Sequence, residues 1–177
     1  MRIIAGRAGG LIIKAPRGEE LRPTSDRVRE AVFSMLGDLV PDARVLDLFA
    51  GTGALGLEAL SRGARSCTFV ESSRDACKVI EANVAKLQLT GARVVCQSVT
   101  QALRAESRLY DLILVDPPYA MFSSFQPLLA ERLPALLAPD GLVVVESDQR
   151  EQPELPLALR TSRRYGSARV SLFEHAR

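Results

Sequence analysis

The sequence predicts an α/β fold: a mostly parallel sheet with helices on both faces. Three observations carry this. Five short runs, at 43–49, 66–71, 92–97, 111–116 and 141–147, are almost wholly apolar, as strands buried on both sides must be. Helical stretches separate them, the spacing of repeated strand–helix–strand units. A glycine-rich segment follows the first run, where the chain must turn sharply from strand into helix. The 177 residues are 47% apolar and 25% charged, which suits one domain with a real core.

The elements follow in order. Residues 2–15, RIIAGRAGGLIIKA, set two apolar runs around Gly6, Gly9 and Gly10 and read as a β-hairpin. Residues 16–24 form a loop with Pro16, Gly18 and Pro23. Thr24 or Ser25 caps a helix whose buried face is Val28, Ala31, Val32, Met35 and Leu36, with Gly37 and Pro41 ending it. Residues 1–40 thus extend a core over 41–177. Within the core, helices are expected over 54–62, 73–89 and 99–106. A further one over 124–138 is interrupted by Pro127 and Pro134. The tail, 160–165 and 169–174 about Gly166, reads as an antiparallel hairpin at the sheet edge.

Composition narrows the function. No apolar run approaches the ~18 residues of a membrane span, and the N-terminus lacks a signal-type apolar region. Three cysteines (Cys67, Cys77, Cys96) without C-x-x-C spacing fit a reducing cytoplasm and core packing, not a disulfide framework or a metal site. Cys96 is expected to form a wall of the pocket. His175, the only histidine, is expected in solvent. The net charge of +2 conceals basic ends: seven Lys/Arg against four Asp/Glu in 1–30, and six against three in 150–177. If these ends meet, they make a modest phosphate-facing patch. Arg2, Arg7 and the Arg163–Arg164 pair are candidate contacts.

The first strand runs into Asp47-Leu48-Phe49-Ala50-Gly51-Thr52-Gly53-Ala54-Leu55-Gly56. Such a loop lies beyond the carboxyl ends of the strands, where open α/β sheets bind ligands. The second strand ends in Glu71, 18 residues after Gly53, placed to accept hydrogen bonds from ribose hydroxyls. Together they indicate a nucleoside-containing cofactor, either a dinucleotide or S-adenosylmethionine. Asp47 favours the latter, because it would repel a pyrophosphate but could meet a cationic amino-acid group.

The fourth strand supplies the second discriminating feature, Asp116-Pro117-Pro118-Tyr119. Two prolines end a buried strand rigidly. The Asp116 and Pro117 carbonyls and the Asp116 carboxylate are acceptors for a planar NH2 group, and Tyr119 offers a face for stacking. The set describes a clamp for the exocyclic amine of an extruded base. Hydrogen bonds from that amine would favour a pyramidal nitrogen aimed at the cofactor's methyl group, for in-line displacement. Either Asp116 or a water takes the proton.

These residues resemble the class I S-adenosylmethionine-dependent methyltransferases, in the amine-methylating branch that carries (D/N/S)PP(Y/F/W). RPTSDRVREAVFSML (22–36), YGSARVSLFE (165–174) and RIIAGRAGG (2–10) further resemble the bacterial family that methylates a guanine N2 in small-subunit (16S) ribosomal RNA (RsmD type). The resemblance spans essentially the whole chain. It implies a Rossmann-like seven-stranded sheet, with Asp47, Phe49, Gly51 and Gly53 at the methionine part of S-adenosylmethionine. Glu71 and Ser72 would lie at the ribose, and Ser98 and Val99 at the adenine. Thr24, Arg22 and Arg27 would close over cofactor or RNA, and Asp116, Pro117, Pro118 and Tyr119 would hold the guanine. Ser98 departs from the acidic or Asn-type acceptor common in the family, though its hydroxyl can accept a hydrogen bond. The expected partner is 16S ribosomal RNA in the small ribosomal subunit, met by a cytoplasmic monomer without metal.

The rivals are a DNA adenine-N6 methyltransferase, served equally well by Asp-Pro-Pro-Tyr but needing more chain to read DNA, and a protein-glutamine methyltransferase, whose usual Asn is absent at position 116. An NAD-linked dehydrogenase leaves Asp-Pro-Pro-Tyr unexplained. An inactive RNA-binding module on the same fold is opposed by the intact motif.

Overall fold

The computed structural model describes residues 1–15 and 25–177; Arg22 and Thr24 lie outside them. In chain order the elements are α1 (Asp26–Leu36), β1 (Arg44–Leu48), α2 (Ala54–Ser61), β2 (Ser66–Glu71), α3 (Arg74–Leu87), β3 (Ala92–Cys96), α4 (Val99–Ala105), β4 (Tyr110–Val115), α5 (Phe122–Leu136), β5 (Leu137–Asp148), β6 (Ala158–Tyr165) and β7 (Ala168–Glu174). The strands make one seven-stranded sheet in the order β3-β2-β1-β4-β5-β7-β6. The first five are parallel, and β7 runs antiparallel to both β5 and β6.

Side-chain alternation along the strands divides the core in two. Val45, Cys67, Phe69, Leu112, Leu114 and Val144 pack with α1, α2 and α3. Leu46, Leu48, Val70, Ile113, Val115 and Val143 pack with α4 and α5. Asp47, Glu71, Asp116 and Glu146 continue the first alternation, so these four acids belong to one face.

Ser25 caps α1, its side chain accepting the Val28 N–H. Buried Val28, Val32, Phe33 and Leu36 are the stripe expected from the sequence. Ala31 and Met35 are only half-buried at its rim.

Several expectations are corrected, but the N-terminal hairpin forms. Arg2 bridges Ile12 antiparallel, with the Ile3 N–H donating to the Leu11 carbonyl at 2.9 Å, the Gly10 N–H to that of Ile3 at 2.8 Å and the Ile13 N–H to that of Met1 at 3.0 Å. The segment also binds helices. Ile4 and Ala5 donate backbone N–H groups to the Glu58 carboxylate at 2.8 and 3.0 Å. Ala8 donates to Ser61 Oγ and Lys14 to Asn83 Oδ1. Helix α5 runs unbroken through Pro127 and Pro134, since Phe122, Leu129, Leu133 and Leu136 anchor it on the sheet and outweigh the lost backbone bonds. His175 is half-buried, its Nε2–H donating to the Leu137 carbonyl at 3.0 Å. Cys67 and Cys77 are buried, but Cys96 is exposed at the end of edge strand β3. Among the described residues no helix is long and apolar enough to cross a membrane.

Candidate functional site

The carboxyl ends of β3, β2, β1, β4 and β5 lie side by side, and each leads into a predicted or newly found polar group. The centre is β1. Phe49, just past its end, has φ 59°, a left-handed conformation unusual for an aromatic residue. Its ring meets Phe125 edge-on at 4.8 Å between centroids. Gly51 and Gly53 follow at φ 56° and 79°, so the turn needs two residues without a Cβ. Gly56 has a different task. A Cβ there would press on the Phe69 ring, lie 2.6 Å from Cys67 Sγ and 2.9 Å from Asp47 Oδ2, so this glycine seats α2 against the sheet.

Asp47 is 1% exposed. Its Oδ2 accepts the Gly56 N–H at 3.0 Å. Burial pushes its carboxyl up to about 8, the Gly56 bond opposes this, and nearby Asp116 and Glu71 reinforce the rise. A buried carboxyl in this state is poised to ionise against a cation.

On β2, the Glu71 carboxylate bridges two loops. Oε2 accepts the Gly51 N–H at 2.7 Å and Oε1 the Ser73 N–H at 2.9 Å. Each oxygen has a second lone pair, so the group is held in place and still able to accept from a ligand. Ser72 beside it is exposed. After β3, Ser98 is the N-cap of α4, accepting the Gln101 N–H at 3.2 Å. Val99 is buried with Leu103 in the core below.

On β4, Pro117 is buried, Pro118 exposed, and Asp116 and Tyr119 half-buried. The Pro118 carbonyl accepts the Met121 N–H at 2.9 Å, which turns the chain back into α5. Tyr119 donates its hydroxyl to Glu146 Oε1 at 3.3 Å. Glu146, near the end of β5, escaped the sequence reading. The available signal was an acid ending an apolar parallel strand, as Glu71 and Asp116 do.

The predicted arginines separate. Arg2 and Arg27 are exposed, Arg2 beside the site edge. Arg2 pairs with Asp26 at 3.7 Å, and neighbouring Met1 Sδ accepts the Thr52 hydroxyl at 3.8 Å. Arg7 is not brought to this edge. Its N–H bonds the Ser61 carbonyl at the far end of α2, about 12 Å away at 1.5 Å per helical residue.

A mostly parallel sheet with this strand order, a glycine turn after β1, an acid ending β2 and Asp-Pro-Pro-Tyr after β4 defines the class I S-adenosylmethionine-dependent methyltransferase fold. The residues present fit that cofactor, since the buried Asp47 carboxyl meets no cationic side chain among the described residues and the Glu71 carboxylate retains acceptor capacity. The family described as Conserved hypothetical protein 95 matches residues 1–174, and the chain belongs to this family, the RsmD type. Ribosomal RNA small subunit methyltransferase D of Escherichia coli strain K12 is 39% identical over 153 residues, 84% of this chain and 75% of that protein. YlbH of Bacillus subtilis strain 168 is 36% identical over 183 residues, 98% of each chain. The solved structure of Escherichia coli yhhF has a TM-score of 0.86 at 34% identity, covering 100% of this chain and 99% of that one.

Proposed function

We propose that this methyltransferase transfers a methyl group to the exocyclic N2 of a guanine in small-subunit ribosomal RNA, working as a cytoplasmic monomer. The observation that carries the reading is the order of groups along the sheet edge. Glu71 (β2) and Asp47 (β1) sit on neighbouring strands, and Asp116 follows β4 on the next strand over. Neighbouring strands are about 4.8 Å apart. A cofactor laid over β3, β2 and β1 therefore ends beside a base clamped at β4. The name carried by the Escherichia coli relative, a small-subunit RNA methyltransferase, supports the substrate class.

Roles follow from chemistry. When bound, S-adenosylmethionine supplies a methyl group made electrophilic by its sulfonium. Asp47 holds the cationic amino-acid end, and the Gly51–Gly53 turn presents backbone. Glu71 accepts from the ribose with Ser72 alongside, while Ser98 and Val99 border the adenine. Asp116 and the Pro117 carbonyl accept hydrogen bonds from the guanine amine and fix its lone pair in line. Tyr119 stacks on the base, and Pro118 flanks it. Asp116 or a water takes the released proton. Arg2 and Arg27 face the RNA backbone.

The test incubates the protein with methyl-labelled S-adenosylmethionine and unmethylated small subunits, naked small-subunit RNA or duplex DNA, then identifies the labelled nucleoside. N2-methylguanosine from either RNA acceptor, lost in Asp116→Ala, is the expected result. N6-methyladenine in DNA would replace this reading with the adenine one, and absence of label from RNA would refute it.

A further inference from the structure

Asp116 explains how an amine is held but not why it should belong to guanine. The amines of adenine and guanine both present two N–H donors. What distinguishes the bases is the adjacent ring nitrogen: N1 carries a hydrogen in guanine and a lone pair in adenine. A reader of guanine therefore needs a second acceptor beside the one that holds the amine.

Glu146 supplies it. Strands β4 and β5 pair in parallel with Val115 opposite Val145, so Asp116 and Glu146 come next on the two strands and share a face. Glu146 is 8% exposed, and a carboxylate so withdrawn from water needs donors around it. The Tyr119 hydroxyl provides one at 3.3 Å. A carboxylate has about four acceptor positions, so holding the Tyr119 hydroxyl is compatible with accepting a hydrogen bond from a ligand. That bond also ties the acid to the ring expected to stack on the base.

Taking the guanine-N2 reading as its basis, we propose that Glu146 is the specificity residue, accepting the N1–H of the target guanine beside the N2 amine held by Asp116. Against a base with a lone pair at N1, the same carboxylate faces electron density with electron density and rejects it. The sheet edge then carries a division of labour: β3, β2 and β1 hold the cofactor, β4 the reacting amine, and β5 the neighbouring position that identifies the base.

The test uses 2-aminopurine, which has the N2 amine of guanine but a bare lone pair at N1. Two small-subunit RNAs are prepared, with guanine or 2-aminopurine at the position that labelling identifies. Wild type and Glu146→Gln are compared on both. The Gln side chain retains an oxygen for Tyr119 and adds an N–H for a lone pair at N1. Wild type should prefer guanine, and Glu146→Gln should shift the guanine to 2-aminopurine ratio of kcat/KM by about 10–100-fold toward 2-aminopurine, the size of one base-edge hydrogen-bonding pair. A ratio within one preparation is independent of how much protein is folded. Tyr119→Phe, which removes the hydroxyl but leaves the carboxylate, should lower both activities without moving the ratio. An unchanged ratio in Glu146→Gln overturns the assignment. Absence of N2-methylguanosine with wild type overturns the underlying guanine reading instead.

Discussion

Asp47→Asn should turn a pH-dependent protein into a less pH-dependent one. The Asp47 carboxyl is pushed from an ordinary 3.8 to about 8, chiefly by burial. Between those values the folded chain binds a proton that the unfolded chain has released. The stabilisation from this proton is complete below the unfolded value and is lost as pH rises through the folded one. The loss is about 1.4 kcal/mol per pH unit, or about 3 kcal/mol from pH 5 to 7.5. In a domain of this size that corresponds to a shift of roughly 10 °C in Tm. Asn cannot titrate, and its side-chain oxygen can still accept the Gly56 N–H. Urea unfolding of cofactor-free wild type and variant at pH 5, 6, 7 and 7.5 measures the difference. The gap should widen with pH in favour of Asn. Parallel stability curves would show that the carboxyl titrates as if solvated, and the argument from burial would fail. Cofactor affinity should move the other way, because Asn cannot pair with an ammonium group.

Other consequences are simpler to check. Glu58→Ala should cost about 3–5 kcal/mol in chemical unfolding, the cost of breaking a buried ion pair, because Glu58 is 0% exposed and holds Ile4, Ala5 and Arg62. Gly56→Ala should weaken both folding and cofactor binding, since its methyl group would fall against Phe69, Cys67 and Asp47; thermal shift with and without cofactor reads both. Asp116→Ala should lower kcat at least 100-fold, the scale of one lost transition-state hydrogen-bonding group, while calorimetry finds cofactor affinity nearly unchanged.

The sheet was legible because its information is local. Alternating apolar runs and helical stripes fix five parallel strands and their helices, and β2 spans the expected 66–71. Asp47, Glu71 and Asp116 were legible for a related reason: acids at the ends of apolar strands stand out. Residues defined by distant partners stayed hidden. The N-terminal segment reads as a hairpin and pairs as one, but the partners that fasten it, Glu58 and Asn83, lie 54 and 69 positions from the residues they hold. Arg7, a candidate phosphate contact, has its backbone tied to Ser61 at the far end of α2, 54 positions on. Pro127 and Pro134 carry a strong local signal for a break, but the anchoring leucines of α5 override it.

The two margins of the sheet are both armed with arginine. Strand β6 carries exposed Arg160, Arg163 and Arg164, and β3 carries exposed Arg93. Any second chain that tried to continue the hydrogen-bond ladder through β6 would bring its own guanidinium groups against these, in a region where like charges oppose docking. Both margins thus carry charge where unpaired backbone would otherwise invite another strand.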